Sequence, residues 1–375
     1  MLTIILKVTN NCNLRCPYCY NFSKLDKVEI FDVNKLNKLL FDAYNYEKNK
    51  YDNNINITLI FHGGEPTLAG TEWYKKAVNI IREFENLYNI KISLCMQSNF
   101  TMQNDELWEF LICNGIQVGT SFDGPNNNLT RDKNGLYLKN KTKYEILNYG
   151  NSCITIITKN NIKDIISMGE WYIKNNFTSI ELHPAYKTKT MYENDLTVDI
   201  DEWIEILKKL YKEIAFNYYN HPFECNFEDW LNILNKDISC LGCEYKNCSF
   251  KWIGIQPNGD YMPCGQEWNQ NDDFVFGNMN DMDIDSVFKT EKYISNIYNP
   301  MITEKCKKCY LKEYCNGGCI AKRLATTGQT KEPDTDWCKL NKEMVSWLYE
   351  FNYQYKHLIV NNNFLRIIGD TYERQ

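Results

Sequence analysis

The amino-acid sequence predicts an α/β protein in which a partial, TIM-like (β/α)6 barrel is followed by a small cysteine-rich domain and a C-terminal helix. Short β-rich runs alternate with longer amphipathic stretches over residues 1–185. After residue 239 cysteines accumulate among turn-rich segments instead. Strands that alternate with helices form parallel sheets, and in such folds functional side chains gather at the carboxyl ends of the strands.

Six runs of β-branched and apolar residues predict the strands of the barrel. Two of the stretches between them, residues 32–48 and 71–88, show the spacing of apolar residues that is typical of amphipathic helices. The predicted strands span residues 3–9, 56–61, 91–97, 117–121, 153–158 and 179–183.

A further helical pattern, over residues 199–220, separates the barrel from the cysteine-rich region. Loop-rich segments with little core of their own usually need a metal to fold, and nine cysteines between 240 and 338 can supply ligands. The predicted domains are the barrel over residues 1–185, a helical bridging segment over 186–239, the cysteine-rich domain over 240–345 and a helical tail over 346–375.

The charge and the apolar pattern of the chain exclude several classes of partner. Its net charge of −6 argues against nucleic acid, whose phosphates need a basic surface. No apolar run approaches the roughly 18 to 20 residues that cross a bilayer, and a secretory signal is missing. We therefore expect a cytoplasmic protein without a membrane partner. In that reducing compartment, 16 cysteines indicate metal binding rather than disulfides.

Three cysteines follow the first predicted strand with the spacing Cys12-x3-Cys16-x2-Cys19. A closed structural zinc site takes four ligands, so three thiols leave one coordination position open. A [4Fe-4S] cluster held by three cysteines has one iron that can bind another molecule. The alternative is a zinc knuckle that a distant ligand completes.

This spacing, with Tyr18 before the last cysteine, resembles the signature of the radical S-adenosylmethionine (SAM) enzymes. The resemblance implies that the open iron chelates the amino and carboxylate groups of SAM. "FHGGEP", after the second strand, resembles the Gly-Gly-Glu-Pro motif of that family. Gly63, Gly64 and Glu65 would then meet the ammonium group of the cofactor. His62, just before them, is a weaker candidate for carrying a proton.

Two later segments extend the resemblance. "MQSNFT" stands where relatives carry Thr-Asn-Gly, and Phe100 replaces the glycine. "SFDGP" matches Ser-x-Asp-Gly-Pro, and residues 131–135 resemble the Arg-x3-Gly that follows it, which implies Ser121 near the ribose and Arg131 near the cofactor carboxylate. The residues expected to bind SAM are Tyr18, Gly63, Gly64, Glu65, Ser98, Asn99, Ser121, Asp123 and Arg131.

The later cysteines, together with Gly259-x4-Cys264, resemble the SPASM type of C-terminal domain, which binds two auxiliary [4Fe-4S] clusters. Cys240 is surplus, and whether Cys240 or Cys243 is a ligand stays open. A zinc ribbon, which also uses CxxC pairs, is the alternative. The resemblance implies one cluster on Cys306, Cys309, Cys315 and Cys338, and another on Cys243, Cys248, Cys264 and Cys319.

The resemblance implies that a 5′-deoxyadenosyl radical removes a hydrogen atom from a peptide side chain or backbone. We expect the product to be a thioether, C–C or C–O cross-link, or an oxidised residue, in a ribosomally made peptide. The alternative is an anaerobic sulfatase-maturating enzyme, which forms formylglycine. Such relatives carry an Asp that acts as the base directly after the cysteine equivalent to Cys264. Gly265 stands at that position here, which argues against formylglycine formation. Glu267, Asp260 and His183 are candidate bases. The alternative of a different class is a zinc-stabilised binding module.

The expected partners are a precursor peptide or protein substrate and a low-potential electron donor such as ferredoxin or flavodoxin. Cys12 lies too close to the start of this sequence for a winged-helix peptide-recognition domain to precede it. Leader-peptide recognition is therefore expected either from a separate protein or from a cleft of this chain.

Overall fold

The computed structural model describes residues 1–22, 25–26, 28–51, 54–132, 134–147, 149–186, 195–218, 220–237, 239, 241–243, 245, 248–266, 272–298, 303–315, 317–361 and 363–364. These residues form two compact units. Unit 1 comprises Met1–Ser121, Asn134–Gly150 and Cys248–Pro300, and unit 2 comprises Phe122–Lys133, Asn151–Asn247 and Met301–Gln375. Within the described ranges, no helix is long and apolar enough to cross a membrane.

Each of the six strands predicted from the sequence is present, within two residues of its predicted bounds. Two further short strands occur in the cysteine-rich region. In chain order the strands are β1 (Leu2–Thr9), β2 (Ile57–Gly63), β3 (Ile92–Ser98), β4 (Gln117–Ser121), β5 (Ser152–Ile157), β6 (Ser179–Pro184), β7 (Trp252–Ile255) and β8 (Tyr261–Met262).

Helices follow most of the strands, as the apolar spacing predicts. Short 3-10 turns precede several of them, and a π-helical turn spans Ile294–Tyr298. The helices are α1 (Leu36–Tyr51), α2 (Thr71–Tyr88), α3 (Asp105–Cys113), α4 (Asn127–Thr130), α5 (Leu136–Tyr144), α6 (Ile165–Lys174), α7 (Ile200–Asn217), α8 (Glu228–Leu234), α9 (Ile284–Lys289), α10 (Glu291–Tyr293), α11 (Glu304–Lys307), α12 (Lys312–Cys315), α13 (Ile320–Thr327) and α14 (Thr335–Tyr355).

In unit 1 the strands lie in the order β4-β3-β2-β1-β7-β8. All neighbours are parallel except β7 and β8, which form an antiparallel pair. Every residue of β1 is buried, because β1 lies between β2 and β7 and is covered on both faces. Its apolar run is what a parallel strand inside a sheet requires. The cysteine loop, which begins at Cys12, therefore starts at the carboxyl edge of the sheet, three residues after the end of β1.

Unit 2 contains the parallel pair β5 and β6. Its helical core is aromatic: the Tyr211 ring stacks on Phe364 with centroids 4.6 Å apart, and its hydroxyl donates to Asn352 Oδ1 at 2.8 Å. Helix α14 spans residue 345, where the sequence predicts a domain boundary. The boundaries predicted at residues 185, 239 and 345 stay predictions.

Candidate functional site

The loop after β1 holds three thiols near one another. A turn between them is closed by the Cys19 N–H, which donates to the Cys16 carbonyl at 3.0 Å. Burial, followed by the charge of Glu65, raises the pKa of the Cys12 thiol to about 12, with smaller contributions from Cys16 and Cys19. That these three thiols bind one cluster stays a prediction. Tyr18, in the same loop, is 9% exposed.

Gly63 and Gly64 allow the end of β2 to lie directly against this loop. A Cβ on Gly63, whose φ is +144°, would stand 2.1 Å from the Thr9 carbonyl oxygen. A Cβ on Gly64 would stand 2.3 Å from that of Asn11. Instead the Gly64 N–H donates to Thr9 at 2.8 Å, and the N–H of the next residue donates to Asn11 at 2.8 Å. Only glycine permits this approach of two backbones.

The Glu65 carboxylate is completely buried and accepts four hydrogen bonds. Oε1 accepts from the Thr67 N–H at 3.1 Å, the Thr67 hydroxyl at 2.6 Å and the Ser98 hydroxyl at 2.9 Å. Oε2 accepts from the Asn99 N–H at 2.7 Å. Burial raises the pKa of Glu65, and these hydrogen bonds oppose that shift. Glu65 thus joins the ends of β2 and β3.

Asn99 connects the end of β3 to the cysteine loop. Its Nδ2 donates to Asn13 Oδ1 at 2.8 Å and lies 3.8 Å from Cys12 Sγ. The next residue, Phe100, adopts a φ of +57°, in the left-handed region that glycine occupies without strain. Its ring is fully buried and packs edge-on against Trp108. The phenylalanine that departs from the family pattern therefore keeps a glycine-like backbone.

The remaining residues predicted to bind SAM lie at the ends of β4 and in the turn that follows. In unit 1, Ser121 Oγ accepts from Gln97 Nε2 at 2.9 Å. In unit 2, Arg131 Nε donates to the buried Asp123 carboxylate at 2.9 Å, and Asp123 also accepts from the Ile156 N–H at 3.1 Å. Arg131 is thus engaged by a carboxylate of its own chain.

A polar group inside unit 1 has no counterpart in the motifs read from the sequence. Lys7, on β1, is 1% exposed, donates to Asn21 Oδ1 at 3.2 Å and lies 5.7 Å from the centre of the Tyr20 ring. Burial, and then the charge of Lys7, lowers the pKa of His62 to about 4. His62 Nδ1 accepts from the Gly63 N–H at 2.7 Å. In the sequence, the one indication of this buried polar group is Lys7 itself, a lysine within the apolar run of β1.

Gly265 lies against the same group. The Tyr20 hydroxyl donates to the Gly265 carbonyl at 3.1 Å. A Cβ on Gly265 would stand 3.0 Å from Ile5 Cγ2 and 3.2 Å from Ile5 Cδ1. Any side chain at position 265 would therefore press against the buried Ile5.

Of the three candidate bases, the structure describes Asp260 in unit 1 and His183 in unit 2. Asp260 lies in the turn between β7 and β8, where its Oδ2 accepts from Asn258 Nδ2 at 2.7 Å and its Oδ1 from Asn278 Nδ2 at 2.8 Å. In unit 2, His183 Nε2 lies 2.8 Å from Glu181 Oε1, and both side chains are more than a third exposed. Glu267 and Cys240 lie outside the described residues.

The cysteines of the second predicted set are divided between the two units. In unit 1, Cys248 and Cys264 flank the β7–β8 hairpin. Burial is the main cause of the raised pKa of Tyr293, and the charges of Cys248 and Cys264 contribute to it in the same direction. In unit 2, Cys243 is exposed and Cys319 is the N-cap of α13.

Four thiols of unit 2 line one pocket, those of Cys306, Cys309, Cys315 and Cys338. Arg323, 3% exposed, donates to the carbonyls of Gly317 at 2.7 Å, Gly318 at 3.2 Å and Thr330 at 3.1 Å. Its charge also acts on three of the pocket thiols and on Cys319. The guanidinium therefore holds the Gly-Gly turn that precedes Cys319.

A buried donor lies near one of these thiols. Trp337 Nε1 is buried and makes no hydrogen bond of normal geometry within the described part of the chain, yet it lies near enough to the Cys315 thiol to lower its pKa, which burial raises. Sulfurs of an iron-sulfur cluster accept hydrogen bonds of this kind. Among the described residues, no three metal-binding side chains lie close enough to share a single metal ion. Four thiols around one pocket, with a buried N–H donor near Cys315, fit a cluster.

Two family models match the chain. The model of the radical SAM superfamily matches residues 6–148, and the SPASM model, an iron-sulfur cluster-binding domain, matches residues 243–316. The first match contains the three-cysteine loop, Glu65 and Ser121. The second contains Cys264 and three of the four pocket thiols.

Similar proteins and structures agree with these matches. A cysteine-type anaerobic sulfatase-maturating enzyme of Clostridium novyi is 28% identical over 85% of this chain and 87% of the relative. The radical SAM cyclopropyl synthase TigE of Paramaledivibacter caminithermalis is 25% identical over 92% and 74%. The structure of native anSMEcpe with bound AdoMet and Cp18Cys peptide superposes with a TM-score of 0.78 at 24% identity, over 98% of this chain and 99% of that one. The predicted fold class is confirmed.

Proposed function

This chain belongs to the radical SAM superfamily and carries a SPASM iron-sulfur domain, and on that basis we propose that it oxidises a cysteine of a peptide or protein substrate to formylglycine. The observation that carries the proposal is the similarity to a cysteine-type sulfatase-maturating enzyme over 85% of this chain and 87% of the relative. It supports this reaction better than the cross-linking reaction that we favoured from the sequence.

The residues that would hold the cofactors follow from the donor sets above. When bound, SAM and a reduced [4Fe-4S] cluster supply a 5′-deoxyadenosyl radical, which removes a hydrogen atom from a C–H bond. Cys12, Cys16 and Cys19 would hold that cluster. The pocket thiols of unit 2 would hold one auxiliary cluster, and the other set stays as predicted from the sequence.

The residues predicted to bind SAM keep that role in the proposal, with two refinements. Glu65 would face the cofactor and also join the ends of β2 and β3, because two of its four hydrogen bonds come from Ser98 and Asn99 and the other two from Thr67 in its own turn. Ser98 and Asn99 hold Glu65 in place. Arg131, paired with Asp123, would contribute through the position of its turn as much as through its charge.

Formylglycine formation would remove one hydrogen atom, one electron and one proton from the substrate cysteine. Its Cβ would lose the hydrogen atom to the radical that SAM supplies, the electron would pass to the auxiliary cluster that the pocket thiols would hold, and the thiol proton would pass to a base. The thioaldehyde formed is hydrolysed by water to the aldehyde with release of hydrogen sulfide. Residue 265 is a glycine here and has no side chain that could accept the proton. The base in this proposal is therefore another group.

A cross-linking reaction is the second candidate, and one contact favours it. A side chain added at Gly265 would meet Ile5 3.0 Å from its Cβ, so this position is tight for a carboxylate residue. TigE, which is named a radical SAM cyclopropyl synthase, is similar to this chain over 92% of its length. A peptide radical that bonds to a neighbouring residue still loses one electron and one proton, so the same clusters would serve it.

The reaction is tested with reconstituted enzyme, SAM, reductant and a peptide containing a Cys-x-Pro-x-Arg motif. We expect mass spectrometry to find an aldehyde in place of the thiol, with an equal amount of 5′-deoxyadenosine. Formation of 5′-deoxyadenosine without aldehyde, but with cross-linking of a peptide encoded beside the gene, would replace formylglycine by the second candidate.

Iron content separates both reactions from a zinc-stabilised binding module. Three [4Fe-4S] clusters contain about twelve irons per chain. We expect that amount after anaerobic reconstitution. The proposal also places the protein in the cytoplasm, because a reducing compartment keeps its 16 cysteines available to iron. Stoichiometric zinc with almost no iron would end the enzyme proposal.

A further inference from the structure

Three lysines line the same pocket as the four thiols of unit 2: Lys305, Lys312 and Lys342. The first two side chains are exposed, and the charges of Lys305 and Lys342 both act on the Cys338 thiol. We call these lysines, together with the adjacent Tyr310, the pocket-mouth surface. Positive charge therefore surrounds the place where the pocket meets solvent.

The positive charge of this surface is opposite in sign to the net charge of the whole chain. Residues 304–342 contain nine Lys or Arg and five Asp or Glu, whereas the chain carries a net charge of −6. A basic patch on an acidic protein attracts acidic partners and speeds their encounter. Three of these nine basic residues line the pocket of the four thiols.

Aromatic side chains continue the surface. Tyr310 is 59% exposed, and its hydroxyl donates to the Lys342 carbonyl at 3.1 Å, which holds the ring beside that lysine. Tyr349 and Tyr353 are 49% and 62% exposed and follow Lys342 by seven and eleven residues, which places them along one face of α14. Exposed aromatic residues with a charged rim are typical of protein interfaces.

We propose that the pocket-mouth surface docks a small acidic ferredoxin that exchanges single electrons with the auxiliary cluster behind it. The cluster gives up one electron and the oxidised ferredoxin gains one, and no atom is transferred. That electron is the one released by the substrate radical. The inference rests on the proposed function, because it needs a cluster on Cys306, Cys309, Cys315 and Cys338.

The experiment mixes reconstituted, reduced enzyme with an oxidised acidic ferredoxin in a stopped-flow spectrometer and follows ferredoxin reduction at several ionic strengths. Binding of the same ferredoxin is measured separately by calorimetry. The charge-reversal variant is Lys305→Glu/Lys342→Glu. Its matched control, Lys76→Glu/Lys209→Glu, changes the same charge at exposed lysines that do not line the pocket.

We expect the second-order rate constant of the wild type to fall as ionic strength rises. At low ionic strength the pocket variant should be slower by about tenfold or more and bind correspondingly more weakly, while the control stays within about twofold. Equal losses in the two variants, or a rate without salt dependence, would overturn the docking surface.

Two measurements keep this outcome separate from the proposed function. Iron content and the electron paramagnetic resonance (EPR) spectrum show whether the variant retains its clusters. If it loses iron, the single variant Lys312→Glu decides, because that side chain is exposed and pairs only loosely with Glu313 at 3.5 Å. Normal clusters and formylglycine formation with unchanged ferredoxin kinetics would reject the docking surface and leave the proposed function intact.

Discussion

Lys7 and His62 are register partners on the parallel strands β1 and β2, and the lysine charge adds to burial in lowering the pKa of His62 to about 4. His62 is therefore neutral at pH 7, with Nδ1 accepting from the Gly63 N–H and Nε2 carrying the proton. It can donate a hydrogen bond there but cannot accept a proton at Nε2. This argues against His62 as the proton carrier that the sequence suggests.

Acid should destabilise the protein through His62. Its pKa is lowered on folding, so the unfolded chain binds a proton at this residue between about pH 6.5 and 4 while the folded chain does not. The contribution is fully present above pH 6.5 and is lost as the pH falls towards 4, by at most about 3 kcal/mol. His62→Gln should reduce the fall in melting temperature between pH 6.5 and 5. His357→Gln, at an exposed histidine, should not.

Installing the missing carboxylate should be resisted by one side chain. Gly265→Asp forces Ile5 to move, so we expect a loss of about 1 to 3 kcal/mol. In an Ile5→Ala background the same substitution should cost less, and the double-mutant cycle measures the difference. The double variant should also form more formylglycine per 5′-deoxyadenosine than Ile5→Ala alone. Additive stability changes would show that Ile5 does not block position 265.

Glu65→Ala should be among the most damaging substitutions in unit 1. It leaves four buried donors without an acceptor, each worth about 1 to 3 kcal/mol, so we expect little folded protein. Ser98→Ala removes one of these bonds and should cost about 1 kcal/mol. If Ser98→Ala also weakens SAM binding in calorimetry while Glu72→Ala, on the exposed face of α2, does not, the network positions the cofactor-facing carboxylate. Unchanged binding in both would confine the network to stability.

The buried pair of Asp123 and Arg131 should be far more important than a surface pair. Arg131→Met strands a buried carboxylate and should destabilise the fold by about 3 to 5 kcal/mol. Lys75→Met breaks an exposed pair with Glu106 of similar length, 2.7 Å, and should cost less than about 1 kcal/mol. Thermal unfolding of the two variants provides the comparison, and equal shifts would contradict it.

Arg323 should raise the reduction potential of the auxiliary cluster in unit 2. A buried positive charge beside the thiols favours the reduced, more negative cluster. We expect Arg323→Met to lower the midpoint in an EPR-monitored titration by about 59 mV, a tenfold change for one electron. Arg323→Lys should recover part of this shift, and Lys331→Met, at an exposed lysine, should leave the potential unchanged. A midpoint unaffected in Arg323→Met would limit the arginine to holding the Gly-Gly turn.

The strands and the two main motifs could be predicted because their signals are local. The apolar run of β1 and the Gly-Gly of residues 63–64 each follow from requirements of a few neighbouring residues. The glycines illustrate the limit, since their sequence suggests close approach to a cofactor whereas their Cβ positions are also filled by the Thr9 and Asn11 carbonyls. A motif identifies which residues must be small but not every neighbour that requires it.

Contacts between distant segments could not be predicted from spacing. The pairing of β7 with β1 joins residues about 250 positions apart. Ile5, which would meet a side chain at position 265, lies on β1 and pairs with Gly254 of β7. Phe100 shows the same limit, because its left-handed backbone is compensated by a buried ring whose partners, Trp108 and Tyr137, come from other elements.

The cysteine loop is held by protein atoms on several sides: by Gly64 and Glu65 N–H groups on its backbone and by the Asn99 amide on Asn13. These bonds belong to the polypeptide and need no iron. A zinc finger gains its shape only when metal arrives. Here the chain can leave the ribosome, fold, and present a ready receptacle to the machinery that delivers iron and sulfide. A cluster destroyed by oxygen could then be replaced in the same molecule.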